Sequence, residues 1–246
     1  MNKIKIINTS AVKAELEEIA NELSQLPSER LCIRRGYYYY TVNNEEVSLT
    51  KKPEIIRQLC RRAYLLARQK QINNNLKNLT DNFDSRTPIQ LIAELPKAYQ
   101  NLPLEYFYHP SVEQWLAKPP RFNQLNPDDA IYQYQNVNYR SLSEREIAQK
   151  LTENGLLFYY DAYFNTYHAA LSPDFYIKNP FNGRVYLWEF FGAFHLPKYG
   201  ERMNDKMTDY AKIGFHENEN LILTFNYHLR DMTMIQNLID RIIWQV

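Results

Sequence analysis

Apolar residues recur at helical spacing from the start of the chain. Val12, Leu16, Ile19, Ala20 and Leu23 fall on one face of a helix predicted over 10–26, with Ser10 as its N-cap and Leu26-Pro27-Ser28 as its stop. The period then changes. Two alternating, tyrosine-rich runs flank Asn43-Asn44, after a first break at Gly36, and predict a β-hairpin or a three-stranded meander over 31–50. Lys51-Lys52-Pro53 leads into a long helix over 54–79. The stretch 80–130 is less regular and rich in proline; it predicts a helix over 87–100 with Pro88 in its first turn, and another over 111–117.

From Ser141 onward the pattern sharpens. It predicts a helix over 142–153 closed by Asn154-Gly155, and a strand over 156–164. Strands over 171–178 and 184–191 follow, joined by a turn containing Asn179, Pro180, Asn182 and Gly183. A helix over 199–213 ends near Gly214; a short apolar strand, 220–225, and a closing helix, 231–244, complete the chain. The fold class is α/β: a mixed sheet flanked by helices. It occupies 131–246 and follows a mostly helical region, 1–130, with the boundary between 119 and 138.

A length of 246 residues allows one large domain or two small ones. The formal charge of +1 excludes a uniformly basic coat, so a nucleic-acid partner needs a local patch. The long helix carries one, with Arg57, Arg61, Arg62, Arg68 and Lys70, and Arg34, Arg35, Lys51 and Lys52 lie close by in sequence. Beside a tyrosine-rich hairpin, such a patch either follows a phosphate backbone while rings stack on bases, or is a solvated helix face over a packed small sheet. The chain has 20 Tyr, which fits stacking surfaces and also an AT-rich genome. Cys32 and Cys60 have no metal-ligand spacing and read as free thiols of a reducing compartment. With no signal-like segment and no run approaching ~18 apolar residues, the expectation is a cytoplasmic protein without a membrane span.

The chemistry concentrates in carboxylates. Glu144 heads the apolar stripe Ile147, Ala148 and Leu151, whereas Glu146 reads as solvated, paired with Lys150 at i+4. Asp174 lies on the strand face opposite Phe175 and Ile177. Glu189 interrupts the apolar run Tyr186-Leu187-Trp188-Glu189-Phe190-Phe191, where a charge needs a partner or a metal. Such a cluster favours a hard divalent cation, Mg2+ or Mn2+. On the next helix Tyr199, Met203, Lys206 and Tyr210 share a stripe, so Lys206 either reaches the carboxylates or snorkels to solvent. Lys178 is another possible cation, and His168 and His195 flank the hairpin as surface residues, or else as a catalytic base or a donor to phosphate.

The ordered set Glu144, Pro173-Asp174, Glu189-Phe190-Phe191 resembles the PD-(D/E)xK, or restriction-endonuclease-like, nucleases. Lys206-Met-Thr-Asp-Tyr210 resembles the Gln-x-x-x-Tyr helix motif of their RecB-like branch, with Lys in place of Gln. The chain is also similar to a bacterial, chiefly Firmicutes-type, group in which Trp-Glu-His-Phe-Gly follows a Pro-Asp-Phe strand; here it reads Trp188-Glu189-Phe190-Phe191-Gly192. The resemblance implies a restriction-endonuclease-like core and metal-dependent hydrolysis of nucleic acid, DNA first, in DNA processing or in defence against phage and plasmids. Glu144, Asp174, Glu189 and the carbonyl of Phe190 would hold the metal, with Lys206 and Tyr210 assisting. The superfamily's strand Lys is Phe191 here, which moves that role to Lys206. Arg34, Arg35, Lys51, Lys52, Arg57 and Arg61 would grip nucleic acid or dock a partner protein, and a homodimer is compatible with the pattern. Two other readings stay open: an inactive nuclease-fold module that binds nucleic acid or protein, and a structural subunit of a larger complex.

Overall fold

The computed structural model describes residues 9–77, 83–122, 130–165, 170–192, 197–217 and 219–244, without the side chains of 165 and 197–202. The chain is mixed α/β and divides into two units, one of residues 1–109 with 243–246, the other of 110–242. The division falls ahead of the predicted boundary. Trp115 shows why: its ring packs 4.3 Å from Tyr159 and 5.6 Å from Tyr176, so the segment after Pro110 belongs to the second unit's sheet.

In the first unit, helix α1 (Thr9–Gln25) packs along helix α2 (Pro53–Lys77). Ser10 already lies inside α1 and is not its cap. Strands β1 (Cys32–Arg34), β2 (Tyr37–Val42) and β3 (Glu45–Ser48) form the meander. Its second turn works because Asn43 (φ 49°) and Asn44 (φ 68°) accept the left-handed backbone that a two-residue hairpin demands. The single helix expected over 87–100 is two, α3 (Pro88–Ala93) and α4 (Lys97–Gln100). Pro96 has no N–H to give and disfavours helical backbone at Leu95. Thr87 and Gln90 close a capping box at the start of α3. A 3-10 turn, Leu104–Phe107, adds the fully buried Phe107 to a core of Leu31, Leu49, Leu59, Cys60 and Leu65. Both cysteines are free thiols.

The second unit begins with helix α5 (Ser111–Ala117) and strand β4 (Arg121–Phe122). Strands β5 (Tyr132–Tyr134) and β6 (Val137–Tyr139) form a hairpin that the sequence reading did not include. Its turn is again a left-handed pair, Gln135 (φ 47°) and Asn136 (φ 62°), between alternating tyrosines. Helix α6 (Leu142–Glu153) runs from Ser141 to an Asn154 cap, and Gly155 turns the chain at φ 72°. The strand expected over 156–164 breaks at Asp161 (φ 51°) into β7 (Leu157–Tyr160) and β8 (Ala162–Asn165), which join different sheets. The strand expected over 171–178 is likewise two, β9 (Ala170–Leu171) and β10 (Phe175–Lys178), in different sheets with Pro173 between them; β11 (Val185–Phe191), helix α7 (Pro197–Lys212), β12 (Leu221–Phe225) and helix α8 (Met232–Trp244) follow.

The main sheet has the order β12-β11-β10-β7, with β11 and β12 parallel and the other pairs antiparallel. One sheet face carries Leu187 and Leu221, which pack with Leu171 and Tyr210 and bring α7 onto the sheet. The other carries Phe175, Ile177 and Trp188, with Tyr139 stacked and Tyr160 tilted against Phe175. Among the described residues, no helix is long and apolar enough to cross a membrane.

Candidate functional site

Strand register builds the site. Phe175 pairs with both Tyr160 and Trp188, and carrying the two antiparallel registers one residue further sets Asp161 opposite Asp174 and Asp174 opposite Glu189. The hydrogen bond from the Asp161 backbone N to the Asp174 carbonyl, 2.9 Å, confirms the first pairing. Like charges opposed across strands oppose folding, so this row needs compensation.

Each acid has a different origin and a different set of partners. Glu144 is the third residue of α6 and completes a capping box: its Oε2 accepts from the backbone N of Ser141 at 3.2 Å, and Ser141 Oγ accepts from the Glu144 N at 3.1 Å. The same Oε2 accepts from the Tyr160 hydroxyl at 2.7 Å. Asp174 is 7% exposed; its Oδ2 accepts from the backbone N of Phe190 at 2.6 Å and its Oδ1 from Arg140 Nη2 at 3.3 Å. Glu189, 2% exposed on the central β11, accepts from the Tyr210 hydroxyl through Oε1, with Lys206 Nζ 2.5 Å from the same oxygen.

The electrostatics follow from this crowding. Burial holds the Asp174 carboxyl well above the usual carboxylate range, and the charges of Glu189 and Glu144 push it further up. Burial also raises Glu189, against the opposing pull of Lys206 and Tyr210. The Tyr210 phenol is pushed up by burial and then by the Glu189 charge, so it stays a donor. Lys206 also donates to the Ser172 carbonyl at 2.9 Å. It does not snorkel away; it spans from α7 to the acids.

These side chains line a pocket of about 320 Å³ with Arg140, Phe190, Phe191 and Met203. Of the residues singled out in the sequence, Glu144, Asp174, Glu189, Phe190 and Lys206 meet there, with Tyr210 behind Glu189. Phe191 fills its position as a buried ring stacked on Phe225, centroids 5.8 Å apart. Lys178 is not part of the site: its Nζ binds the Gly183 carbonyl at the far end of β10. Lys150 pairs with Glu153 at 2.5 Å rather than with Glu146. His168, His195 and the side chain of Tyr199 lie outside the described residues.

Three residues were missed in the sequence. Arg140 directly precedes the α6 cap, Tyr160 is a hydrogen-bonding hub, and Asp161 holds Arg140 Nη2 at 3.3 Å and accepts from Ser172 Oγ at 3.0 Å. Asp161 carried the same signal as Glu189, a lone charge in an aromatic run. The Ser141-x-x-Glu144 spacing also reads directly as a capping box.

In the first unit the proposed basic patch divides. Arg61 is 5% exposed, holds Glu22 at 2.8 Å through both Nε and Nη2, and donates Nη1 to the Phe107 carbonyl. Arg68 is likewise buried, paired with Glu15 at 2.8 Å and lying over the Trp244 ring. Both guanidiniums are committed inside the unit and are removed from the surface set. Arg34, Arg35, Lys51, Lys52 and Arg57 are exposed. Arg34 pairs with Glu46 at 2.5 Å and sits over Tyr39, and Arg57 sits over Tyr106.

The pocket's donor set is hard oxygen, which suits Mg2+ or Mn2+. Glu189 Oε2 and Glu144 Oε1 meet no donor among the described residues. In the arrangement seen, Lys206 and Arg140 supply the positive charge, and among the described residues no three His, Cys, Asp or Glu side chains converge tightly enough to hold a metal. Comparison with known proteins leaves this geometry to stand by itself: no family model matches the chain, and searches of curated proteins and of solved structures find no match.

Proposed function

We propose that the second unit is a metal-dependent nuclease, DNA-directed, built on a restriction-endonuclease-like core. The observation that carries the reading is one pocket into which α6, the start of β10 and the middle of β11 each deliver a buried acid, with Lys206 of α7 2.5 Å from Glu189. Asp174, Glu189 and the Phe190 carbonyl, with Glu144 beside them, would hold Mg2+ or Mn2+. A bound divalent cation there supplies a water of lowered pKa and neutralises charge at the scissile phosphate. Lys206 orients the attacking water and stabilises the developing phosphate charge. Tyr210 fixes Glu189 from behind, so the carboxylate presents its other oxygen to the pocket. The exposed Arg34, Arg35, Lys51, Lys52 and Arg57 of the first unit hold nucleic acid or a partner protein.

Supercoiled plasmid, single-stranded DNA and RNA, each with Mg2+ or Mn2+, test the reading. Asp174→Ala and Glu189→Ala are expected to lose at least about a hundredfold in rate, as when a principal electrostatic group is removed. Activity equal to wild type in both variants ends it.

A second reading draws on Phe191 and on the two cations already seated among the acids: an inactive nuclease-fold module that binds nucleic acid or protein. Calorimetric titration with Mn2+ separates the two. Carboxylate-dependent binding supports the enzyme, and its absence supports the module.

A further inference from the structure

The charges of the pocket are layered. Asp174 and Glu189 are 10% and 3% exposed at their side chains, whereas Arg140 and Lys206 are each 31% exposed. An anion entering the pocket therefore meets the two cations before the acids.

Arg140 is held as if for that purpose. Its backbone N and its Nε both donate to the Tyr160 hydroxyl, at 3.0 and 3.3 Å, and its Cζ sits 5.9 Å from the Tyr160 ring centroid. Its Nη2 is shared between Asp161 Oδ1 and Asp174 Oδ1, both at 3.3 Å. Asp161 is fixed in turn by Ser172 Oγ, and Ser172 gives its carbonyl to Lys206. One side of the guanidinium is thus anchored, while Nη1 meets no acceptor among the described residues. An ammonium has three donors, and Lys206 Nζ spends two of them on Glu189 and Ser172. A planar guanidinium anchored on one edge presents the geometry that a phosphate oxygen accepts.

We propose that Arg140, with Lys206, forms a phosphate-binding subsite at the mouth of the acidic pocket, and that Asp161 and Tyr160 are its positioning residues. The subsite stands on the geometry alone; only the identity of the phosphate, one of a nucleic-acid strand beside the bond to be cut, rests on the nuclease reading. When the phosphate docks, it takes over the charge compensation that the acids now provide to Arg140. That leaves Asp174 Oδ1 open to a cation.

The full-length protein is titrated with inorganic phosphate in the presence of Mg2+ by calorimetry. In parallel, kcat/KM is measured on an oligonucleotide and on the same oligonucleotide carrying one neutral methylphosphonate next to the cut. Arg140→Ala is expected to weaken phosphate binding about tenfold to a hundredfold, the worth of a charge-assisted bond. Arg140→Lys, which keeps the charge and loses the fork, recovers part of that loss. Asp161→Asn raises KM and leaves kcat nearly intact. The methylphosphonate and Arg140→Ala penalties do not add, because each removes the same contact. Thermal melts and circular dichroism confirm that each variant is folded.

Wild-type protein that binds no phosphate, or Arg140→Ala that binds it as wild type does, overturns the subsite. So do fully additive penalties. Phosphate binding that depends on Arg140 in a protein that cuts no oligonucleotide keeps the subsite and ends the nuclease reading. Cutting that ignores Arg140 does the reverse.

Discussion

The fold holds the Asp174 side chain at an electrostatic cost. It is buried, faces Glu189 across one strand and Asp161 across the other, and its carboxyl is raised well above the usual range by burial and then by Glu189 and Glu144. The linkage sign follows. A raised carboxyl keeps its proton where the unfolded chain has lost it, so the stability it contributes is complete below the ordinary carboxylate value and is lost as pH rises through the raised one. In chelator, wild-type protein should therefore lose stability as pH rises above the ordinary carboxylate range. Asp174→Asn removes much of that slope while its amide oxygen still accepts from the Phe190 N–H. Its melting temperature at neutral pH should exceed wild type by about 2–4 °C, the shift that ~1 kcal/mol produces in a chain of this size. Adding Mn2+ should raise wild type and leave the variant unmoved. Equal pH slopes in the two proteins would show that the acids do not repel. Asp174 and Glu189 were legible in the sequence because a charge in an apolar run needs an explanation. Asp161 gave the same signal in LLFYYDAYF and was hidden by the assumption that one apolar run makes one strand. Arg140 gave no signal, because its role comes from the strands opposite it and not from its neighbours in sequence.

Elements were legible where periodicity and punctuation agreed. The helix after Ser141, the strands β11 and β12 and the closing helix all lie close to where their patterns put them, whereas the strand expected over 171–178 is β9 and β10, in different sheets. The failures share one physical cause, a local backbone event inside a uniform pattern. Pro96 divides one helix into two; Asp161, in left-handed backbone, sends β7 and β8 to different sheets. Helix α6 links element to site most directly, since Glu144 serves both the N-terminal cap and the acidic pocket. Ser141→Ala removes the acceptor for the Glu144 N–H and should cost about 1 kcal/mol. That cost reads as a lower urea midpoint with an unchanged m-value. Ser141→Asp supplies the same acceptor and should restore it. A midpoint unmoved by Ser141→Ala would mean that α6 is fixed by packing and not by its cap.

For the whole molecule, a net charge near zero hides two different uses of arginine in the first unit. Sequence spacing places Arg57, Arg61 and Arg68 on one helix but cannot tell which turn inward. Arg61 and Arg68 meet Glu22 and Glu15 of the neighbouring helix, and those pairs consume their charge inside the unit. Arg35, Lys51, Lys52 and Arg57 keep theirs at the surface. The two groups should separate cleanly in one experiment. Each surface substitution, Lys51→Ala, Lys52→Ala or Arg57→Ala, should weaken nucleic-acid binding similarly for all sequences. Each that touches a phosphate should lower the dependence of log K on log salt by about one unit. Arg61→Ala leaves Glu22 without its partner and strips a donor from the Phe107 carbonyl, so it should cost on the order of 3 kcal/mol of stability. Measured well below its lowered melting temperature, it should leave the salt slope where wild type has it. A slope that falls with Arg61→Ala and holds with Lys51→Ala and Lys52→Ala would reverse this assignment, because only a cation that reaches phosphate releases counterions when it binds.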